Sequence, residues 1–501
     1  MLQLDAIAES LRLLLTPLRD LILAYVPAEW IMSLPAITLV IFGIIALAVG
    51  MKHNPLGISF IGVILAIFEM LMFDPSVMSG YSFGTLFIRD AFTDFFIWIV
   101  LIVALLVLMS STLWGGDKGA YNFLLMISFA GALWVIMATD LVALFLAWEV
   151  MSTPTYILVA LGPRREAIDG ATKYFVMGLL ATMLMLFGIA LTFGVTGTTE
   201  LSALSEIVNT LWAVPYGNES AIYTLLLAMV LFVVSFGFKV GIFPGWQWVP
   251  DAYASADGSV TAYLAGGSKK TGVSALLRIL MVGFFFARME WAPLIAGVAI
   301  LTMIIGNVLA LAQKDIMRML AYSSVSMMGY LFIGVAAANE IGMAAAGFHA
   351  FTHAIMKTAA FILIWAMSFK LTKRITYDDL AGLSKRAPAA AAMFAILMLS
   401  LAGMPLTVGF WSKLVLFQSA VVAGMWWLAL IGLLNSVFSL GYYLRVLKFT
   451  YMEEPKDDSK LDLPKVPMIA VAICVIAVIA LFIFPNVILD YAFQAAALFF
   501  S

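Results

Sequence analysis

Residues 225–250 read LLLAMVLFVVSFGFKVGIFPGWQWVP. The run is uncharged up to Lys239, and Gly241, Pro244, Gly245 and Pro250 follow close behind. Such a stretch predicts a membrane span that carries a lysine deep inside and breaks just beyond it. A charge at the bilayer centre costs roughly 2.5–3.5 kcal/mol even on a lenient insertion scale, so it usually marks an ion pathway. Proline removes a backbone donor and clashes with the preceding turn. In lipid the freed carbonyls are tolerated only where protein or a wet cavity covers them. Residues 399–417, LSLAGMPLTVGFWSKLVLF, repeat the pattern with the order reversed: Gly403, Pro405 and Gly409 come first and Lys413 follows. Paired broken helices in two halves of a chain point to a transporter built on inverted repeats.

Composition sets the solvent. Of 501 residues, 64% are hydrophobic and 11% charged, against about 25% charged in a soluble domain. Mean hydropathy is +1.07. A helical span needs about 20 apolar residues, and reading for such runs gives fourteen: 31–51, 56–74, 92–114, 121–138, 140–161, 171–195, 221–245, 260–287, 291–312, 319–338, 343–370, a broken 389–426, 424–448 and 466–490. The expected fold class is therefore an all-α polytopic membrane protein. Residues 1–30 mix Asp5, Glu9, Arg12, Arg19, Asp20 and Glu29 with leucines, which suggests an interfacial amphipathic helix rather than a signal peptide.

A net charge of −2 leaves no footprint for nucleic acid. The one cysteine, Cys474, lies within an apolar run, which excludes an internal disulfide and a cysteine-ligated cluster. No Gly-rich loop suggests nucleotide binding, and no metal-ligand spacing stands out, so no cofactor is expected in this chain. Loops after odd-numbered spans hold Lys52, Lys118, Arg164, Arg165, Lys173, Lys314, Arg318, Lys373, Arg374, Lys385 and Arg386, among others, whereas the 196–220 loop holds Glu200, Glu206 and Glu219. The positive-inside rule places both termini outside. Arg164, Arg165, Lys173 and Arg445 read most simply as determinants of that topology.

Several charges fall within spans. Glu149 follows Asp140 by nine residues, or about 13 Å of helix. It is either a carboxyl neutralised by burial or the counter-charge of Lys239. Desolvation favours the neutral amine and a nearby carboxylate favours the ammonium, so opening such a pair would release a proton. Lys269 and Lys270 are neighbours, about 100° apart on a helix, and only one is expected to face the interior. His349, His353 and Lys357 are spaced by four and share one helix face, as a hydrated polar stripe would. Glu69 is read as lying near the surface, without a role.

The stretches KYFVMGLLATMLMLFGIALTFGVTGTTEL, FKVGIFPGWQWVPDAY, MLAYSSVSMMGYLFIG, LSLAGMPLTVGFWSKLVLF and LLNSVFSLGYYLRVL, taken in order, are similar to the antiporter-like membrane subunits of complex I. The likeness runs from about residue 92 to 450. It is strongest to the N type found in NADH–quinone oxidoreductase and archaeal F420H2 dehydrogenase. It implies two inverted five-helix repeats with broken helices, dividing the chain into 1–114, a first repeat 115–288, a second repeat 289–450 and a C-terminal part 451–501. It further implies proton-relay roles for Glu149, Lys239, Lys269 and Lys413, and the expected relay joins these to His353 and Lys357 of the polar stripe. Partners would be other membrane-arm subunits, which would hold the iron–sulfur clusters and flavin. Electrons would run from F420H2 or NADH to a quinone or methanophenazine. Two departures stand out. Trp246 replaces the family's usual histidine, and ASADGS carries Asp257 where proline is usual. The His353 and Lys357 pattern is closer to multisubunit cation/proton antiporters, which favours an archaeal or early-branching complex. The rival expectations are a subunit of a sodium/proton antiporter and a non-conducting structural subunit.

Overall fold

The computed structural model describes residues 15–73, 79–455 and 459–500. Among these, ten helices are long and apolar enough to cross a membrane. Four other expected spans fall on shorter or interrupted helices: Leu34–Gly50, Leu56–Met72, the broken pair Pro388–Ala402 and Val408–Val422, and a continuous helix that starts at Gly258 and ends at Gly283. That last helix is interrupted by two π turns, Leu264–Ser268 and Ile279–Gly283. The helical plan has one small exception: strands Gly80–Ser82 and Phe87–Arg89 pair antiparallel around Phe83 and Gly84. Of the proposed N-terminal amphipathic helix, residues 1–14 lie outside the described residues. Residues 15–25 are helical and expose Leu18, Leu21 and Tyr25.

The 196–220 segment, read as a loop, holds the helix Leu201–Ala213. It buries Leu201, Leu204 and Val208, one helical face, and seats Leu201 and Leu204 against Gly283. It covers the end of the Gly258–Gly283 helix instead of crossing the membrane.

Internal duplication is visible in the backbone. Asp140 caps the Leu141–Ala160 helix and Asp315 caps Ile316–Ala337. Asp140 bridges to Glu200 and Asp315 to Thr376. Leu141 N donates to Thr199 O and Ile316 N to Ile375 O. Each of these helices also meets its predecessor through a glycine. A Cβ on Gly131 would lie 2.5 Å from Met151 N, and one on Gly306 would lie 2.5 Å from Ser326 N. The same local arrangement therefore recurs in the two halves of the chain.

Both expected breaks are present, and in each the freed backbone groups have partners. Gly241 ends Glu219–Val240 at φ +74°, and the chain resumes as Val249–Ser255. Across that break Trp248 donates its indole N–H to Phe238 O at 2.8 Å, and Thr302 Oγ1 accepts from Phe243 N at 3.0 Å. Gly403 ends Pro388–Ala402 at φ +84°. Asp251, just past the first break, is held by Lys173 and Arg318 from two other helices. Arg164 donates to Ala254 O and Ser368 Oγ. Lys173, Arg318 and Arg164 therefore fasten the second half of the broken helix.

Candidate functional site

Five lysines, Lys239, Lys269, Lys270, Lys357 and Lys413, are at most 5% exposed, and none forms an ion pair among the described residues. Each is satisfied by hydroxyls, carbonyls or an imidazole. Lys239 Nζ donates to Tyr174 OH at 2.6 Å, Ser152 Oγ at 3.2 Å and Thr155 Oγ1 at 3.4 Å. Tyr174 is fixed by stacking on Trp248, with ring centroids 4.0 Å apart. The tryptophan that seals the break thus also orients the phenol that receives the lysine.

Lys269 and Lys270 begin the α-helical stretch that follows the first π turn. Lys269 Nζ lies over the Tyr253 ring at 5.4 Å and donates to Ser324 Oγ at 3.3 Å. It also lies beside Gly241, where a Cβ would come within 3.1 Å of the amine. The expectation that only one of the two lysines faces inward is overturned, because Lys270 is fully buried. Its helix is enclosed on every side. Lys270 Nζ reaches back to Ala265 O, in the π turn, at 2.6 Å, and meets His353 Nδ1 at 2.6 Å.

The stripe on Glu340–Leu371 lies on one face, as its spacing requires. The His349 and His353 rings stack with centroids 5.9 Å apart. His349 Nδ1 meets Ser412 Oγ at 2.6 Å, and Ser412 immediately precedes Lys413. Lys357 Nζ donates to Leu320 O at 2.9 Å and to Ser323 Oγ. The adjacent hydroxyls of Ser323 and Ser324 therefore serve Lys357 and Lys269 respectively. Lys413 Nζ donates to Ala402 O, the carbonyl left free at the second break, at 2.9 Å. It also donates to Ser436 Oγ at 2.8 Å and lies over the Tyr330 ring at 4.7 Å. The result is a chain of contacts, Lys270–His353–His349–Ser412, that ends beside Lys413.

Glu149 sits differently. It is half-buried, accepts from Thr182 Oγ1 at 2.9 Å and lies 3.4 Å from Thr153 Oγ1. The expected direct pair with Lys239 is not formed. Ser152, one turn further along the same helix, occupies the lysine's side, and Tyr174 supplies the short contact. Glu69, in the last turn of Leu56–Met72, is likewise half-buried and accepts from Thr38 Oγ1 at 2.6 Å.

The electrostatics follow from the absence of counter-charges. None of the five amines is paired with a carboxylate among the described residues, so charging all of them at once in a low-dielectric bundle would cost several kcal/mol per ion. A row that can hold only a few protons, linked by hydroxyls and imidazoles that both donate and accept, is suited to passing protons along. Tyr174→Phe removes the shortest contact of Lys239. A hydrogen bond to a charged group is worth about 1.5–3 kcal/mol, so proton transfer through Lys239 is expected to slow at least about tenfold. Translocation rate against pH in vesicles checks this.

The transmembrane family of NADH:quinone oxidoreductase and Mrp antiporters matches residues 138–439. F(420)H(2) dehydrogenase subunit N of Methanosarcina mazei is 34% identical over 487 residues, covering 92% of this chain and 97% of that protein. The chain belongs to this family. Among solved structures, a chain of respiratory complex I from Thermus thermophilus with bound aureothin is similar, with a TM-score of 0.77 and 27% identity, covering 91% of this chain and 98% of that one. A chain of the Mrp complex from Dietzia sp. DQ12-45-1b shares the fold, with a TM-score of 0.74 and 22% identity over 98% of this chain and 97% of that one. Within this antiporter-like chain, the sequence reading gave Lys270 no place in the relay and passed over Ser323, Ser324, Ser412 and Tyr174. The signal for three of these was present in YSSVS and WSK, where serines interrupt apolar spans.

Proposed function

We propose that this chain is the proton-translocating, non-redox, N-type membrane-arm subunit of a complex I-like oxidoreductase. Its relay comprises Lys239, Lys269, His353, Lys357 and Lys413, with Glu149 as the outlying acid. Lys270, His349, Ser323, Ser324, Ser412 and Tyr174 fill the intervals. The observation that carries this reading is the contact row from Lys270 to Ser412, which connects the two broken-helix units through the middle of the bundle. Electrons pass in other subunits, which hold the flavin and iron–sulfur clusters, from NADH or F420H2 to a quinone or methanophenazine. The chain lies in the cytoplasmic membrane with its termini outside and its basic loops inside.

Glu149 supports a neighbouring subunit. Its half-exposed carboxylate lies among exposed Leu146, Val150, Leu179 and Met183, a face that lipid alone would penalise and a polar partner would relieve. The Mrp-like fold favours a second reading, sodium/proton exchange. Sodium, like other hard cations, calls for oxygen ligands, whereas this row offers amines and imidazoles.

Purification of the assembled complex through a tag on this chain separates the readings. Co-elution of iron–sulfur subunits, with donor-driven proton release in sodium-free buffer, is the expected result. Elution with other antiporter-type chains alone, or an absolute sodium requirement, would overturn it.

A further inference from the structure

We infer that Asp257 is an inner loading acid of this chain, delivering protons to Lys269 from the side where the basic loops gather. This rests on the proton-translocating reading above and adds a group that the family resemblance does not supply, since proline is usual at that position. Asp257 is 1% exposed. Its Oδ1 accepts from Tyr121 OH at 3.0 Å and from Ser259 N at 2.9 Å, while Oδ2 is buried with no hydrogen-bond partner. No lysine, arginine or histidine pairs with it among the described residues. The groups facing it are neutral. Tyr121 stacks on Trp114, Ser259 is bonded to Ser110, and Trp365 packs against Gly258. A buried carboxylate with no cation beside it and one oxygen left without a partner is costly. A proton on Oδ2, shared with water, removes the cost.

A path leads from that oxygen toward Lys269. Asp257 begins the helix that carries Lys269, about 18 Å further along at 1.5 Å per residue. Four other buried polar atoms on the same helix and its neighbours lack a protein partner: Trp365 Nε1, Tyr253 OH, Thr358 Oγ1 and Ser268 Oγ. Trp365 lies at the Asp257 end, against Gly258. Tyr253 has its ring 5.4 Å from Lys269 Nζ, Thr358 abuts Gly266, and Ser268 directly precedes Lys269. Buried polar atoms without partners are uncommon, and each calls for water. Strung between an acid and an amine, they mark a hydrated inner half-channel. In each cycle the Oδ2–H bond breaks, the proton passes along this water and forms a bond at a neutral Lys269 Nζ. The carboxylate then takes a proton from the inner solution.

The test compares Asp257→Asn, Asp257→Glu and Lys269→Ala in the purified complex reconstituted into vesicles. Asp257→Asn keeps the Oδ1 contacts and removes the proton. It is expected to slow inner-side proton uptake about 100-fold, the low end of what a positioned acid contributes, and to remove one carboxyl C=O band from the infrared difference spectrum. Asp257→Glu is expected to restore both. Uptake unchanged in Asp257→Asn but lost in Lys269→Ala would overturn the loading role and leave the pump assignment standing. Uptake unchanged in both would overturn the pump assignment and the loading role together. Loss in Asp257→Asn without rescue by glutamate and without the infrared change would reduce Asp257 to a structural cap, which also overturns the inference.

Discussion

Lys239→Met is expected to cut proton translocation at least about 100-fold while leaving the assembly as stable as before, or more so. The lysine is 1% exposed and surrounded by Tyr174, Ser152 and Thr155. Replacing a buried ionisable group by an apolar one of similar volume is often neutral or stabilising. Two of the three hydroxyls left behind still pair, since Thr155 and Tyr174 lie 3.0 Å apart and Thr155 also donates to Ser152 O. Methionine fills the same volume without strain. A core lysine kept for packing would behave in the opposite way, losing stability and keeping transport. Thermal unfolding of the purified complex and donor-driven proton release, measured on the same preparation, separate the two. Loss of stability with intact pumping would remove Lys239 from the relay.

Gly409→Ala is expected to lower stability by about 3 kcal/mol, the upper end for overpacking, and to disable translocation without touching an ionisable group. An ideal Cβ at Gly409 would lie 1.8 Å from Ser400 O, and Gly409 N is bonded to Ser400 Oγ at 3.3 Å. The two halves of the broken helix meet at this point, and alanine forces them apart. Lys413, on the second half, then loses Ala402 O and Ser436 Oγ, while Ser412 draws away from His349. Gly57→Ala and Gly194→Ala are suitable controls, because nothing lies within 4 Å of a Cβ at either position. Unfolding temperature and proton release of the three variants check the expectation. Equal behaviour in all three would mean that the closeness of the break is unimportant.

Most of the architecture was legible because lipid enforces simple rules. Apolar runs of span length and glycine and proline clusters at the breaks each have a single physical reading. Lys239, Lys269, His353, Lys357 and Lys413 stood out because a charge within such a run is rare, and all are buried in the bundle. What failed depended on azimuth. Depth along the helix put Glu149 near Lys239, but depth says nothing of which way a side chain turns, and the carboxylate faces Thr182 instead. Lys270 was misjudged because the helix that carries it is covered on all sides, so the face about 100° round from Lys269 is interior as well. The serines were silent for another reason. A hydroxyl in a span most often bonds its own backbone, as Ser419 does to Leu416 O, and only three-dimensional packing distinguishes Ser412 or Ser324 from it. The Leu201–Ala213 helix did leave a trace, in Leu201, Leu204 and Val208 at helical spacing, hidden within a segment too polar to span.

The most direct test is the number of protons translocated per electron by the reconstituted complex carrying Lys413→Met, beside the unaltered complex, with donor oxidation recorded in the same vesicles. The ratio is expected to fall while electron transfer to the acceptor continues, because the row would end at Ser412 with no amine to receive the proton. An unchanged ratio would contradict a proton path through this chain.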